Sequence, residues 1–160
     1  MGRAKKVAKG QFRIFSSYGW TGMSPEEMTT VFRAAAAKVD ALRKEHNIDA
    51  LAFTGSSGSS IAFVLGIALQ IPIIYVRKDG ESSHGNHIEC NSPACIKRYL
   101  IVDDFIDSGS TVIGIYNKIT NHAANNKVKK PKCVGVFLYY DCMSPKTVPV
   151  GKNSFLKVFT

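Results

Sequence analysis

Residues 100–112 read Leu-Ile-Val-Asp-Asp-Phe-Ile-Asp-Ser-Gly-Ser-Thr-Val. Apolar, strand-forming residues run directly into the adjacent carboxylates Asp103 and Asp104. Asp107 follows, just ahead of Ser108, Gly109, Ser110 and Thr111. Two neighbouring carboxylates at a strand end can each accept hydrogen bonds from vicinal hydroxyls, as on a ribose. The Ser-Gly-Ser-Thr turn, placed at a predicted helix start, offers backbone N–H groups, three hydroxyls and the positive end of a helix dipole, which together cradle a phosphate. One motif thus holds a sugar and its phosphate side by side.

A second segment, Thr54-Gly55-Ser56-Ser57-Gly58-Ser59-Ser60, lies between a predicted strand and an apolar helix. Its small residues allow close backbone approach to an anion. It is not a P-loop, because no Gly-Lys-Ser/Thr follows, and it lacks the Gly-x-Ser-x-Gly of a nucleophile elbow. A third feature is Arg77-Lys78 at the end of the predicted strand 71–76, where Lys78 can serve an anion as a point charge. The polar stretch after it carries His84, His87, Cys90 and, further on, Cys95. These are metal-ligand types, but their spacing fits no zinc module. Cys133 falls in a predicted strand and reads as an inert core thiol, with Cys142 just past it.

On these residues the chain resembles the type I phosphoribosyltransferases, whose signature for phosphoribosyl pyrophosphate (PRPP) is a hydrophobic strand, two acids, a short spacer and a Thr/Ser-Gly-x-Thr/Ser loop. The resemblance spans roughly residues 25–140 and is most specific at 100–112. It implies that Asp103 and Asp104 hold the ribose 2- and 3-hydroxyls, and that Ser108, Gly109, Ser110 and Thr111 hold the 5-phosphate. It places Asp107 where the hypoxanthine/guanine branch keeps an acid near the purine N7. Ser56, Ser57 and Gly58, with Arg77 and Lys78, correspond to the pyrophosphate site. Many members carry Arg or Lys where this chain has Ser57. His84, followed by Gly85, resembles the His-Gly of orotate phosphoribosyltransferases, in a loop (here 79–91) that closes over the site. Phe105 and Tyr140 are the candidate base contacts, Tyr140 by stacking or hydrogen bonding, although core or rim packing suits it equally. No Lys stands at 137–141, where 6-oxopurine enzymes place one.

The implied function is Mg²⁺-dependent transfer of ribose 5-phosphate from PRPP to a nucleobase, purine favoured, with release of pyrophosphate. Asp107 is then the acid/base, and Mg²⁺ is bound mainly through PRPP with Asp103 or Asp104 assisting. Two alternatives stay open: a non-catalytic regulator of the same fold that binds nucleotide or RNA, and a PRPP transferase for orotate or another non-purine acceptor. The resemblance also implies a homodimer.

The elements that must position these residues follow from patterning. Ser24, Pro25 and Glu27 form a capping box ahead of a helix predicted to run to about 46, with Asn47 as its stop. Strands are expected at 48–54, 71–76, 99–102, 133–140 and about 155–159. Helices are expected at 61–69 and 112–124, 55–60 being taken as a loop. Residues 12–15 suggest a short strand, and Tyr18-Gly19-Trp20 a contribution to a hood. This alternation predicts an α/β fold: a doubly wound, mainly parallel sheet flanked by helices, with a small hood. Ligands in such sheets bind at the carboxyl ends of the strands.

The 160 residues favour one domain, here 12–160, after a basic arm at 1–11. The formal charge is +9, which usually points to an anionic partner. It is unevenly spread: residues 1–13 hold five cations and no acid, and 127–160 hold seven Lys against Asp141. Residues 14–126 are left with nine basic and eleven acidic groups. Phosphate binding is therefore argued from the 103–111 motif, and nucleic acid is possible but not favoured. The apolar stretch 61–76, broken by Gln70 and Pro72, is short of a membrane span. With no secretory pattern and four irregularly spaced Cys, the expectation is a soluble cytoplasmic protein.

Overall fold

The computed structural model describes residues 23–81, 87–92, 95–140 and 144–160. The basic arm, the expected strand at 12–15, the hood residues 18–20, His84 and Cys142 lie outside them.

Helix α1 (Pro25–His46) starts at the predicted capping box, with Ser24 Oγ accepting from Glu27 N–H and the Glu27 carboxylate accepting from Ser24 N–H. It ends at Asn47, which adopts the left-handed conformation common at helix ends. Strand β1 (Ala50–Phe53) is buried along its whole length. Then come α2 (Gly55–Leu69), β2 (Ile73–Val76), β3 (Ile88–Cys90), β4 (Arg98–Asp103), α3 (Ser110–Asn125), β5 (Lys132–Leu138), β6 (Thr147–Gly151) and β7 (Ser154–Phe159).

The strands form one sheet in the order β3-β2-β1-β4-β5-β7-β6. Strands β2, β1, β4, β5 and β7 run parallel, while β3 and β6 pair antiparallel at the two edges. This is the doubly wound, mainly parallel α/β sheet expected. Alternation along each strand divides the core between two faces. Leu51, Phe53, Leu100 and Val102 pack with Ala35 and Val39 of α1 and with Ile61 and Leu65 of α2. Ala50, Ala52, Tyr99 and Ile101 pack with Val112, Ile115 and Ile119 of α3.

Three expectations need correction. The segment 55–60 is the opening of α2, not a loop. Gly58 explains why: a Cβ there would lie 2.9 Å from Phe53 Cβ and 3.2 Å from the Val102 carbonyl, so α2 docks on β1 and β4 only where no side chain intervenes. Gly58→Ala is expected to cost about 2 kcal/mol of stability through overpacking, measured by urea unfolding. The polar stretch 79–91 contains β3, held to β2 by backbone pairing. The expected final strand is present, but it is preceded by β6, which was not expected. Among the described residues, no helix is long and apolar enough to cross a membrane.

Candidate functional site

Chain order reverses between β1 and β4, which lie side by side at the centre of the sheet. Strands on either side of such a switch point splay their following loops apart and open a crevice at their carboxyl ends. Here β1 leads through Thr54 into α2, and β4 leads through residues 104–109 into α3. The two helix starts differ from that of α1. Neither Thr54 nor Gly109 caps its helix through a side chain, and neither first turn contains an acid. Neither helix start is closed by its N-cap side chain; at α3, among the described residues, only Ser110 N–H is met by a nearby hydroxyl, that of Ser108, an arrangement that suits an anion. Gly55 (φ +61°) and Gly109 (φ +77°) supply the left-handed geometry at these turns.

A cavity of about 240 Å³ fills the crevice, lined by Ser57, Lys78, Phe105 and the run from Asp103 to Val112. The structure thus brings together most of the residues singled out from the sequence. Asp103 and Asp104 are only 5% and 3% exposed. Asp103 Oδ1 accepts from Ser57 Oγ at 2.9 Å and from Asp104 N–H at 3.0 Å. Burial raises the Asp103 carboxyl to about 7, the Ser57 hydrogen bond opposing that rise and the Asp104 carboxylate adding to it. Asp104 Oδ1 accepts from Phe105 N–H at 3.0 Å, while Asp104 Oδ2 is buried with no partner among the described residues. A buried, unpaired carboxylate oxygen is costly unless something bound there satisfies it.

Ser57 is itself fixed. Its carbonyl accepts from Tyr139 Oη at 3.2 Å, and Tyr139 Oη also lies 3.2 Å from Ser60 Oγ. At the far wall, Ser108 Oγ donates to Ser110 Oγ at 2.9 Å and accepts from Ser110 N–H at 3.3 Å. Asp107 is exposed on the cavity wall. Lys78 reaches across from the end of β2: a Cβ on Gly55 would lie 2.9 Å from Lys78 Cε and 3.1 Å from Nζ. A neighbouring 340 Å³ cavity shares Lys78, Ser110 and Thr111 and is also lined by Arg77 and by Thr54, whose buried Oγ1 has no partner among the described residues.

The other expected residues differ in how far they reach the crevice. The Arg77 guanidinium is engaged by Glu89 of β3, Nε at 2.9 Å and Nη2 at 2.6 Å from the same oxygen. Phe105, 41% exposed, lines the 240 Å³ cavity. Ser56 is exposed, Tyr140 is 39% exposed, and neither lines the cavity. Cys133 is buried, its thiol pushed up to about 12 by burial, in keeping with an inert core residue. Among the described residues, no group of three or more His, Cys, Asp and Glu side chains is placed to hold a metal.

Lys118 was not singled out from the sequence. Its Nζ donates to the Arg77 carbonyl at 2.6 Å and pairs with Asp79 at 2.7 Å, so it grips the chain on both sides of Lys78. The signal was its helical spacing from Thr111 and Ile115, which puts all three on one face of α3. The Asp79 carboxyl is lowered, first by its hydrogen bond to Lys118 and then by that charge.

Substituting Ser57 by Ala removes a donor that favours ionised Asp103. The carboxyl then titrates higher still, and binding that needs the carboxylate shifts to higher pH. For a ligand with vicinal hydroxyls, a several-fold loss of affinity is expected at pH 6 and little at pH 8.5, by calorimetric titration with PRPP.

The arrangement is that of the type I phosphoribosyltransferase fold. Solved structures that share it include an adenine phosphoribosyltransferase (TM-score 0.55, 17% identity, covering 75% of this chain and 72% of that one). The Saccharomyces cerevisiae adenine phosphoribosyltransferase, solved with an imino-altritol bisphosphate and adenine, superposes with TM-score 0.54 at 19% identity, covering 72% and 68%. The Aeropyrum pernix orotate phosphoribosyltransferase does so with TM-score 0.50 at 15% identity, covering 72% of this chain and 59% of that one. By sequence, the chain is 26% identical over 98 residues to the purine biosynthesis transcriptional repressor PurR of Bacillus subtilis; the match takes in 51% of this chain and 34% of the repressor. The chain thus spans about a third of that relative's length and about three fifths of the orotate enzyme's. No family model matches the sequence.

Proposed function

We propose that this chain is a phosphoribosyltransferase that moves the ribose 5-phosphate of PRPP to a nucleobase, purine favoured, working as a single domain over residues 12–160. The observation that carries this reading is the meeting of two kinds of group at one switch point. Buried Asp103 and Asp104 suit two vicinal hydroxyls, and the starts of α2 and α3, neither closed by its N-cap side chain, suit two phosphate groups. A sugar phosphorylated at both ends satisfies all four.

In the reaction a base nitrogen forms a bond to C1 of the ribose as the C1–O bond to pyrophosphate breaks. Pyrophosphate leaves with the bonding electrons, and the base gives up a proton where its nucleophilic nitrogen carries one. Ser108 to Thr111 hold the 5-phosphate. The backbone at Ser56 to Gly58, with Lys78, holds the pyrophosphate. Lys78 takes over the charge that Ser57 lacks, whereas the Arg77 guanidinium is engaged by Glu89. Asp107 takes or holds the proton at the base, and Phe105 covers the base edge. Water exclusion and positioning supply most of the acceleration, because positive charge develops on the ring.

The unpaired Asp104 Oδ2 beside the Asp103 carboxyl fits a hard divalent cation such as Mg²⁺. Held mainly by PRPP, it would neutralise charge on the leaving pyrophosphate. The test is a panel of adenine, hypoxanthine, guanine, orotate and uracil with PRPP and Mg²⁺, following pyrophosphate release and ribonucleotide formation. Product with one purine is expected. No product with any base would overturn the reading.

One observation favours a second reading. The sequence match to a transcriptional repressor, together with Ser57 in place of a cation, suits a regulator that binds PRPP or a nucleotide without turning it over. PRPP binding by calorimetry without pyrophosphate release would select it.

A further inference from the structure

The sheet has a second charged end, opposite the cavity. Lys132 opens β5 and pairs in register with Arg98, which opens β4. The Lys132 N–H donates to the Lys97 carbonyl at 2.8 Å, and Lys127 and Val128 fold back on the last turn of α3 through bonds to Ala124 and Ala123. Strand β7 runs parallel to β5, so the turn before it, which carries Lys152, arrives at this end too. Lys97, Lys127, Lys129, Lys132 and Lys152 are all exposed, and none makes an ion pair with a described residue. Asp49 is near, but its carboxylate accepts from the Lys97 and Arg98 amides at 3.0–3.2 Å. The negative end of the α3 dipole accounts for a cation at 127. It does not account for four more, two further along the same connection and two from the segments before β4 and β7.

From this convergence we infer that the amino-terminal end of the sheet binds single-stranded nucleic acid through its phosphates. Five unpaired ammonium groups on one face suit a polyanion. Phe155, three residues past Lys152 and 62% exposed, adds an uncovered aromatic ring on which a base can stack. An anionic membrane is a poorer fit: within 127–132 only Val128 is a large exposed apolar side chain, and no amphipathic helix lies there to insert. The inference does not rest on the transferase reading, since this end faces away from the cavity and leaves it open.

The test is fluorescence anisotropy with labelled dT20 and U20 between 50 and 200 mM KCl. With about four phosphate contacts, affinity is expected to fall about 50-fold over that range. The full-length variant Lys127→Gln, Lys129→Gln, Lys132→Gln, Lys152→Gln should lose at least tenfold at 50 mM and most of the salt dependence, with an unchanged circular dichroism spectrum. The arm is separated by a second full-length variant, Arg3→Gln, Lys5→Gln, Lys6→Gln, Lys9→Gln, which should keep the salt slope. Any of four results overturns the inference: no binding by the native chain, equal binding by the first variant, loss confined to the second, or equal binding of a 20-bp duplex. Binding only to phosphatidylserine vesicles also overturns it. PRPP turnover in the same preparations reports on the other end of the sheet, so failure there is read separately.

Discussion

Asp103→Asn is expected to make the protein more stable and less able to bind PRPP. The folded carboxyl holds its proton up to about 7, whereas in an unfolded chain it titrates near ~3.9. Between those values the folded state binds more protons than the unfolded one. The stability linked to this group is therefore fully present at low pH and is lost as pH rises through 7, by about 4 kcal/mol in the limit. Its largest cause is burial, and among the described residues Oδ1 accepts from Ser57 Oγ and the Asp104 amide. An Asn keeps Oδ1 as an acceptor for both and carries no charge. At pH 8 the variant should be more stable by roughly 2–4 kcal/mol in urea unfolding, and the gap should close near pH 4. PRPP affinity should fall about 10- to 100-fold, since hydrogen bonds to a charged acceptor are worth more than neutral ones. A variant less stable than the native chain at pH 8 would show that Asp103 is not held at a cost for its ligand.

What could be read ahead of the structure follows from how local each signal is. The capping box of α1 and the step from the apolar run of β4 into Asp103-Asp104 are written in consecutive residues, and both appear where expected. The run 55–60 misled because Gly and Ser are weak helix formers. Contact of Gly58 with Phe53 and Val102 overrides that preference, and such a contact is visible only in three dimensions. Strand β3 has three residues with no buried alternation, so periodicity had nothing to report; pairing with β2 and the Arg77–Glu89 bridge hold it. Strand β6 carries Pro149, tolerated because it lies on an edge. In the site, Asp103, Ser108 and Lys78 were legible from type and position. The diversion of Arg77 to Glu89 and the grip of Lys118 were not, because both cross between elements far apart in sequence.

Asp107→Asn separates catalysis from binding. The Asp107 side chain lies on the cavity wall, exposed, and makes no hydrogen bond or ion pair with a described residue. Its replacement by an isosteric amide should therefore shift stability by no more than about 0.5 kcal/mol. The ribose and 5-phosphate contacts proposed here fall to Asp103, Asp104 and residues 108–111, so PRPP affinity should stay within about threefold of native. The amide cannot accept the proton leaving the base, nor hold a charge beside it. Loss of a general acid or base typically costs 10²- to 10⁴-fold, and a drop of at least 100-fold in kcat at saturating PRPP is expected. Steady-state rates with the accepted purine, alongside calorimetric PRPP binding, supply both numbers. Comparable losses in the two would assign Asp107 to PRPP positioning, and undiminished turnover would remove it from the chemistry. In a regulator without turnover, the same variant would leave PRPP binding near native and alter only the response to a base or nucleotide.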